Sequence, residues 1–244
     1  MGGLKLTTYT VILADYDNLR PVEYWGRGEF LCFTDRARCV PPWVIQPFPQ
    51  LFSEPSRNCR IPKCLPHLMF DADLSIYMDG AFTPLMAPDQ AADVLGDADI
   101  ALYRHPGGNT SYHDERNFYQ RIHGYVPEDV EATYQRYVAE GLPVTGEFYA
   151  GGLVIRRHNA ATERFNEIWF REYAGGTYND QFGLYYALVK SGVKVAVIPG
   201  VATMDTVRFG YRLHANSGCG DNPKYEAENA AAAGRVARIR SLMR

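Results

Sequence analysis

The sequence predicts an α/β domain with a mainly parallel central sheet flanked by helices and a helical tail at its C-terminus. Three observations carry that expectation. Short β-branched apolar runs alternate with longer segments of helical periodicity. Several of those runs end in an acid or a glycine, as buried strands do where they give way to polar loops. The 244 residues suffice for one large core, and no Gly-, Ser- or Pro-rich stretch divides them. Residues 1–224 are therefore expected to form one domain, and residues 225–244 a basic tail.

Thr7 to Ala14 is a β-branched run that stops at Asp15-Tyr16-Asp17-Asn18, and Phe30 to Thr34 repeats the pattern, closing on Asp35. Trp43 to Phe48 is a short strand candidate fenced by prolines. Leu74 to Met78 exits at Asp79-Gly80, and Ile100 to Tyr103 runs into Arg104-His105-Pro106-Gly107-Gly108. Gly152 to Arg156 and Val193 to Ile198 complete the strands. Helical stretches are read at 60–70, 89–95, 112–121, 128–140, 160–174 and 180–191, the last showing Phe182, Tyr185, Tyr186, Leu188 and Val189 at helical spacing. The tail has an Ala-rich segment, then Arg235, Arg238, Arg240 and Arg244 with no acid among them. It reads as a helix whose cations complement its C-terminal dipole or dock on a polyanion.

Composition removes several function classes. With 46% hydrophobic and 22% charged residues the chain is not disordered, collagenous or coiled-coil, and a net charge of -3 excludes a strongly basic body that coats nucleic acid. No apolar run approaches the roughly 20 residues that span a bilayer, and the start lacks a signal peptide's apolar stretch, so a soluble protein of the cytoplasm is expected. Five cysteines, an odd number, point to reduced thiols. No Gly-x-Gly-x-x-Gly, Walker-type loop, Gly-x-Ser-x-Gly or His-Glu-x-x-His occurs where it would carry meaning.

In open α/β sheets ligands bind outside the carboxyl ends of the strands, so acids at strand exits matter most. Asp15, Asp17, Asp35 and Asp79 meet that condition. Asp79 is the sharpest: the strand before it is buried, and Gly80 lets a ligand approach the backbone. Such a carboxylate suits a divalent cation held against a diphosphate. The literal Asp-x-Asp at Asp71 and Asp73 precedes its strand, about 17 Å from the ligand-binding end at roughly 3.3 Å per residue, and reads as a polar turn. Arg57, Arg60 and Lys63 recur about one helical turn apart and are expected on one face toward an anion. Arg104 and His105 add a cationic edge, Asp180 opens a helix where it could orient an acceptor hydroxyl or take its proton, and His214 could supply an imidazole to a metal held by Asp79.

Taken in order, Phe33-Thr34-Asp35, Arg60/Lys63, Ser75-Ile76-Tyr77-Met78-Asp79-Gly80, Arg104-His105-Pro106 and Asn179-Asp180-Gln181 resemble the GT-A (Rossmann-like) class of nucleotide-sugar glycosyltransferases. The resemblance is closest to a glycosyltransferase-like domain of bacterial and plant proteins and covers about residues 8 to 200. It differs in two places: Met78-Asp79-Gly80 has one carboxylate where Asp-x-Asp is usual, and Asn179 stands for an arginine.

The resemblance implies a metal-dependent hexosyltransferase using a UDP-sugar with Mn²⁺ or Mg²⁺. It places Asp15 and Tyr16 by the nucleotide base, Arg60 and Lys63 near the diphosphate, Asp79 on the metal and Asp180 near the reacting centre; Asp35, Arg104 and His105 join them as candidate donor-binding residues, His214 as a candidate metal ligand and Gln181 as a candidate catalytic residue. The chain is also similar to phage TET-associated DNA glycosyltransferases. That implies 5-hydroxymethylcytosine in DNA as acceptor in a host cytoplasm, where Tyr112, Arg116, Phe118, Tyr119, Arg121, His123 and Tyr125 could form a contact rim; the same residues also read as an amphipathic helix with core aromatics. A cell-surface glycan or protein acceptor, hydrolysis of the nucleotide sugar, and a non-catalytic module of the same fold are the alternatives.

Overall fold

A computed structural model describes residues 3–14, 17–22, 26–35, 40–84, 87–123, 126–143, 145–177, 179–200, 207–208, 211–213 and 229–243. Among them, seven strands form the central sheet: β1 (Leu6–Ile12), β2 (Glu29–Thr34), β3 (Val44–Gln46), β4 (Leu74–Met78), β6 (Ile100–Arg104), β7 (Tyr149–Arg157) and β8 (Val195–Val197). Their order is β3-β2-β1-β4-β7-β6-β8. Pairing is parallel except on the two sides of β7, which runs against β4 and β6. This is the mostly parallel, Rossmann-like α/β sheet the sequence predicts. The reversed direction of β7 was not readable, because a two-residue period is the same in both senses.

The chain leaves β1 toward β2 and β3, then returns to lay β4 on the other side of β1. The gap between the carboxyl ends of β1 and β4 is thus a topological switch point, where loops diverge and a ligand can enter. A second, antiparallel sheet is built from β5 (Phe82–Pro84), β9 (Val207–Arg208) and β10 (Tyr211–Leu213). It begins three residues after Asp79, with Leu213 paired to Phe82.

The helices are α1 (Pro55–Asn58), α2 (Arg60–Cys64), α3 (Pro88–Asp93), α4 (Tyr112–His123), α5 (Glu128–Ala139), α6 (Ala160–Gly175), α7 (Asp180–Ser191) and α8 (Asn229–Leu242). The continuous helix expected over 60–70 is instead α2 followed by a 3₁₀ turn at Pro66–Leu68. Pro66 has no N–H to continue the ladder, and Leu65 leaves helical geometry. Asn159 starts α6 with a reciprocal capping box, its side chain accepting from the Thr162 N–H while the Thr162 hydroxyl accepts from its own. Gly192 ends α7 at φ +71°, where a side chain would be strained.

Both sheet faces are covered, as a parallel sheet requires. Tyr9, Phe33, Tyr77, Phe165, Trp169 and Phe170 form the core toward α2, α6 and α7; Ile12, Cys32, Trp43, Ile76, Met78 and Ile155 form the opposite one. A third cluster of Tyr112, Tyr137, Phe148, Phe182 and Tyr185 joins α4, α5 and α7. On α8, Ile239 is buried in the first core and the Leu242 carbonyl accepts from Arg171, so the described part of the tail is docked on the domain. No helix among the described residues is long and apolar enough to cross a membrane.

Candidate active site

A cavity of about 350 Å³ opens at the switch point, lined by Val11 in β1 with Leu13 and Ala14 just beyond it, Tyr77, Asp79 and Gly80 at the exit of β4, and Cys59 and Arg60 at the start of α2. Its apolar wall comes from β1 and its polar end from β4 and α2. Four charged side chains converge there. The Asp180 carboxylate accepts from Arg60 Nε at 2.6 Å through Oδ1 and pairs with Lys63 Nζ at 2.7 Å through Oδ2. Lys63 also lies 3.4 Å from Asp79 Oδ1.

Local sequence explains the convergence. Arg60 and Lys63 are three residues apart and share a face of α2. Tyr77 and Asp79 are two apart along an extended chain and share a side of β4. The Tyr77 hydroxyl donates to Asp79 Oδ1. Burial, reinforced by Asp79, pushes the Tyr77 phenol well above its usual range, so it stays a donor. Asp180 sits in the first turn of α7, where Asn179 caps the Gln181 N–H at 2.9 Å and Trp169 Nε1 donates to the Asp180 carbonyl at 2.7 Å.

The charges decide what Asp180 can do. Burial alone would push its carboxyl up, but Arg60 and Lys63 outweigh burial and hold it well below the usual carboxylate range. Burial likewise opposes the Lys63 ammonium, and Asp180 and Asp79 overcome it, raising its pKa. A carboxylate so stabilised is a weak proton acceptor. What the arrangement offers is Arg60 on the cavity wall with Lys63 buried beside Asp79, positive charge that can meet charge developing on a phosphate-bearing leaving group.

Asp79 faces the cavity with about a third of its side chain exposed. Its N–H donates to the Gly152 carbonyl at 2.8 Å, and a Cβ at Gly152 would stand 3.1 Å from Asp79 Oδ2 and 3.0 Å from Phe82, which accounts for glycine there. A hard carboxylate is suitable chemistry for Mn²⁺ or Mg²⁺. Among the described residues, however, no group of three or more His, Cys, Asp or Glu could hold an ion.

The other expected site residues are placed differently. Asp35 accepts the Ala14 N–H on both carboxylate oxygens, at 3.1 and 3.0 Å, and steadies a residue held at φ +53° on the cavity wall. Gln181 braces β7: its Oε1 accepts from the Gly151 N–H and its Nε2 donates to the Tyr149 carbonyl, so both amide ends are committed to backbone. Arg104 is exposed and pairs with Glu147 at 2.7 Å. His105 is buried 3.5 Å from Glu115, its Nδ1 accepting from the Gly107 N–H. Asp15, Tyr16 and His214 lie outside the described residues.

Three expectations are corrected. Arg57 does not join Arg60 and Lys63 at the cluster: it belongs to α1, which ends at Asn58, and its guanidinium lies 4.0 Å over the Phe52 ring. Tyr112 is no rim residue but the buried centre of the third core, and Arg116 is paired with Glu131. Arg121 is exposed on α4, and the remaining rim residues, the side chains of Phe118, Tyr119 and His123 together with Tyr125, lie outside the described residues. Asp71 and Asp73 are the polar turn expected, tied to Lys5 at the far end of β4.

Sequence reading passed over Tyr77 and Cys59 as site residues. Alternation places Tyr77 beside Asp79 and was the available signal; nothing in the sequence marked Cys59, whose Sγ accepts from Arg60 at 2.9 Å. Residues 33–201 match the family model of the TOD1/MUCI70 glycosyltransferase-like domain, and no curated protein matches the chain. With well over half its length covered and Arg60, Lys63, Asp79 and Asp180 inside the matched span, the chain belongs to the TOD1/MUCI70 glycosyltransferase-like domain family.

Proposed function

We propose that this chain transfers a hexose from a nucleotide sugar, a UDP-sugar in the first instance, to an acceptor hydroxyl. The observation that carries the reading is the Arg60–Asp180–Lys63–Asp79 cluster at the switch-point cavity. Breaking the bond between sugar and diphosphate develops negative charge on the leaving group, and Arg60 and Lys63 stabilise it as it forms. Asp180 fixes the direction of both cations and acts by orientation rather than as base. Asp79 would hold Mn²⁺ or Mg²⁺, with diphosphate oxygens, water and His214 as further ligands; that ion would supply additional positive charge to the leaving group. Support for His214 is its place directly after Leu213, which pairs with Phe82 beside the Asp79 turn.

For the acceptor we propose 5-hydroxymethylcytosine in DNA, with a glycan or protein hydroxyl as the other arm of the test. Exposed Arg238 and Arg240 on α8, a helix without acids, favour a polyanion. The test incubates the protein with Mn²⁺, a panel of nucleotide sugars, and hydroxymethylated DNA, plain DNA or glycan acceptors. A hexose mass increment on one acceptor that disappears in Asp79→Ala is expected. Free hexose without acceptor would mean hydrolysis, and tight nucleotide binding without turnover on any acceptor would mean a binding module. Full activity of Asp79→Ala would remove that residue from the reaction.

A further inference from the structure

Resting on that reading, we propose that Arg156 is a positioning residue for the diphosphate of the donor, acting from inside the core through Lys63 and through its own unneutralised charge. Arg156 lies on β7 with no solvent exposure. A buried arginine is normally held by a carboxylate, since an unpaired charge in the interior is costly. Here its partners are neutral: Nη1 donates to Asn166 Oδ1 at 2.6 Å and Nη2 to the Lys63 carbonyl at 3.1 Å, while Nε is buried without a partner. Among the described residues no carboxylate pairs with it.

The Lys63 carbonyl is where this matters. It stands in the last turn of α2, whose carbonyls lack partners within the helix, and Pro66 three residues on has no N–H to offer. Arg156 fills that gap, with the Tyr9 hydroxyl 3.4 Å from the same oxygen, and so fixes the backbone from which Lys63 reaches Asp79 and Asp180. The two cations Arg60 and Lys63 cancel the two carboxylates Asp79 and Asp180, and Arg156 behind them leaves the group of five at +1. No solvent screens that charge. The free protein therefore holds an uncompensated buried cation bonded to the Lys63 backbone, whose potential a diphosphate at the cluster neutralises and an uncharged nucleoside does not.

The test measures UDP affinity by calorimetry and uridine affinity by ligand-observed NMR, at fixed Mn²⁺, for the parent, Arg156→Gln, Arg156→Lys and Asn166→Asp. Arg156→Gln keeps hydrogen-bonding capacity but loses the charge; UDP binding is expected to weaken about tenfold or more with uridine binding unchanged. Arg156→Lys, which keeps the charge, is expected to stay within about threefold of the parent for UDP. Asn166→Asp leaves the arginine in place and gives it the missing carboxylate. It is expected to weaken UDP as Arg156→Gln does while raising the thermal midpoint, which keeps the proposal testable should Arg156→Gln fail to fold. Equal losses for UDP and uridine would reduce Arg156 to scaffolding, and parent-like UDP binding by Arg156→Gln or Asn166→Asp would overturn the proposal. No UDP binding by the parent would instead overturn the functional reading beneath it.

Discussion

Two strand exits in this molecule each bury an acid against a cationic or basic partner, and only one has the makings of a donor site. At the exit of β4, Asp180 takes an ion pair on each oxygen and the group opens into a cavity. At the exit of β6, Glu115 sits 3.5 Å from His105, accepts from Asn109 at 2.7 Å, and is sealed beneath the Gly107 turn. Both are buried and both hold a displaced carboxyl pKa, in opposite directions. Burial with a perturbed acid therefore does not distinguish function here. What sets the β4 exit apart is a switch-point cavity and a lysine that meets two carboxylates.

The largest expected effect breaks the first of these pairs. Asp180→Asn frees Lys63 and Arg60 from their common partner while leaving the buried lysine and the half-buried arginine charged. Transfer is expected to fall at least ~100-fold, with a stability loss of about 3 kcal/mol from the buried lysine left with Asp79 alone. Turnover and urea unfolding check both figures. The matched change Glu115→Gln is expected to leave turnover within about twofold. Near-normal transfer by Asp180→Asn would erase the contrast.

Much of the first region was legible in sequence because its signals are local. An acid following a buried strand, and two cations three residues apart before it, are spacings that strand and helix geometry translate directly into faces. The start of α7 was legible too, since Asn179 is a strong cap and apolar residues follow at helical spacing. What escaped depended on long-range packing. The partnership of Asp180 with Arg60 spans 120 positions and follows from how α6 and α7 fold back over α2. Gln181 stands beside Asp180 in sequence, which gave no sign that β7, extending past the end of β4, takes both ends of its amide. Arg156 looked like an ordinary strand residue and Tyr112 like part of an aromatic rim, because nothing local reveals a neutral partner or an aromatic cage.

A smaller effect compares two tight glycines. A Cβ on Gly152 would press on Phe82 at 3.0 Å and Asp79 Oδ2 at 3.1 Å; one on Gly107 would meet the His105 ring at 3.2 Å. Gly152→Ala must turn Asp79 away from Lys63 or move Phe82, and transfer is expected to fall about tenfold, since small displacements of positioning groups are costly. Gly107→Ala should lower the thermal midpoint without changing the rate. A loss of rate in Gly107→Ala as large as in Gly152→Ala would show that the β6 exit belongs to the site after all.

The smallest effect lies in the pH dependence of stability, and it separates the two acids by sign. Asp180 has a depressed carboxyl in the fold, so its contribution is present above the unfolded value of about 3.9 and disappears as pH falls through the lower folded one. Glu115 is the reverse: burial raises its carboxyl, and the His105 and Asn109 contacts only partly offset burial. Above an unfolded value of about 4.3 the unfolded chain has released that proton while the fold still keeps it. Stability from this group is therefore complete below that pH and is lost as pH rises through the raised folded value. Gln at position 115 cannot titrate, so the stability of the parent relative to Glu115→Gln should decline on going from pH 4 upward. The parent relative to Asp180→Asn should hold a constant advantage above pH 5 and lose it only in stronger acid. Unfolding series for the three proteins between pH 3 and 8 read both slopes, and slopes of the same sign would mean that the two buried acids are not the opposites their surroundings make them.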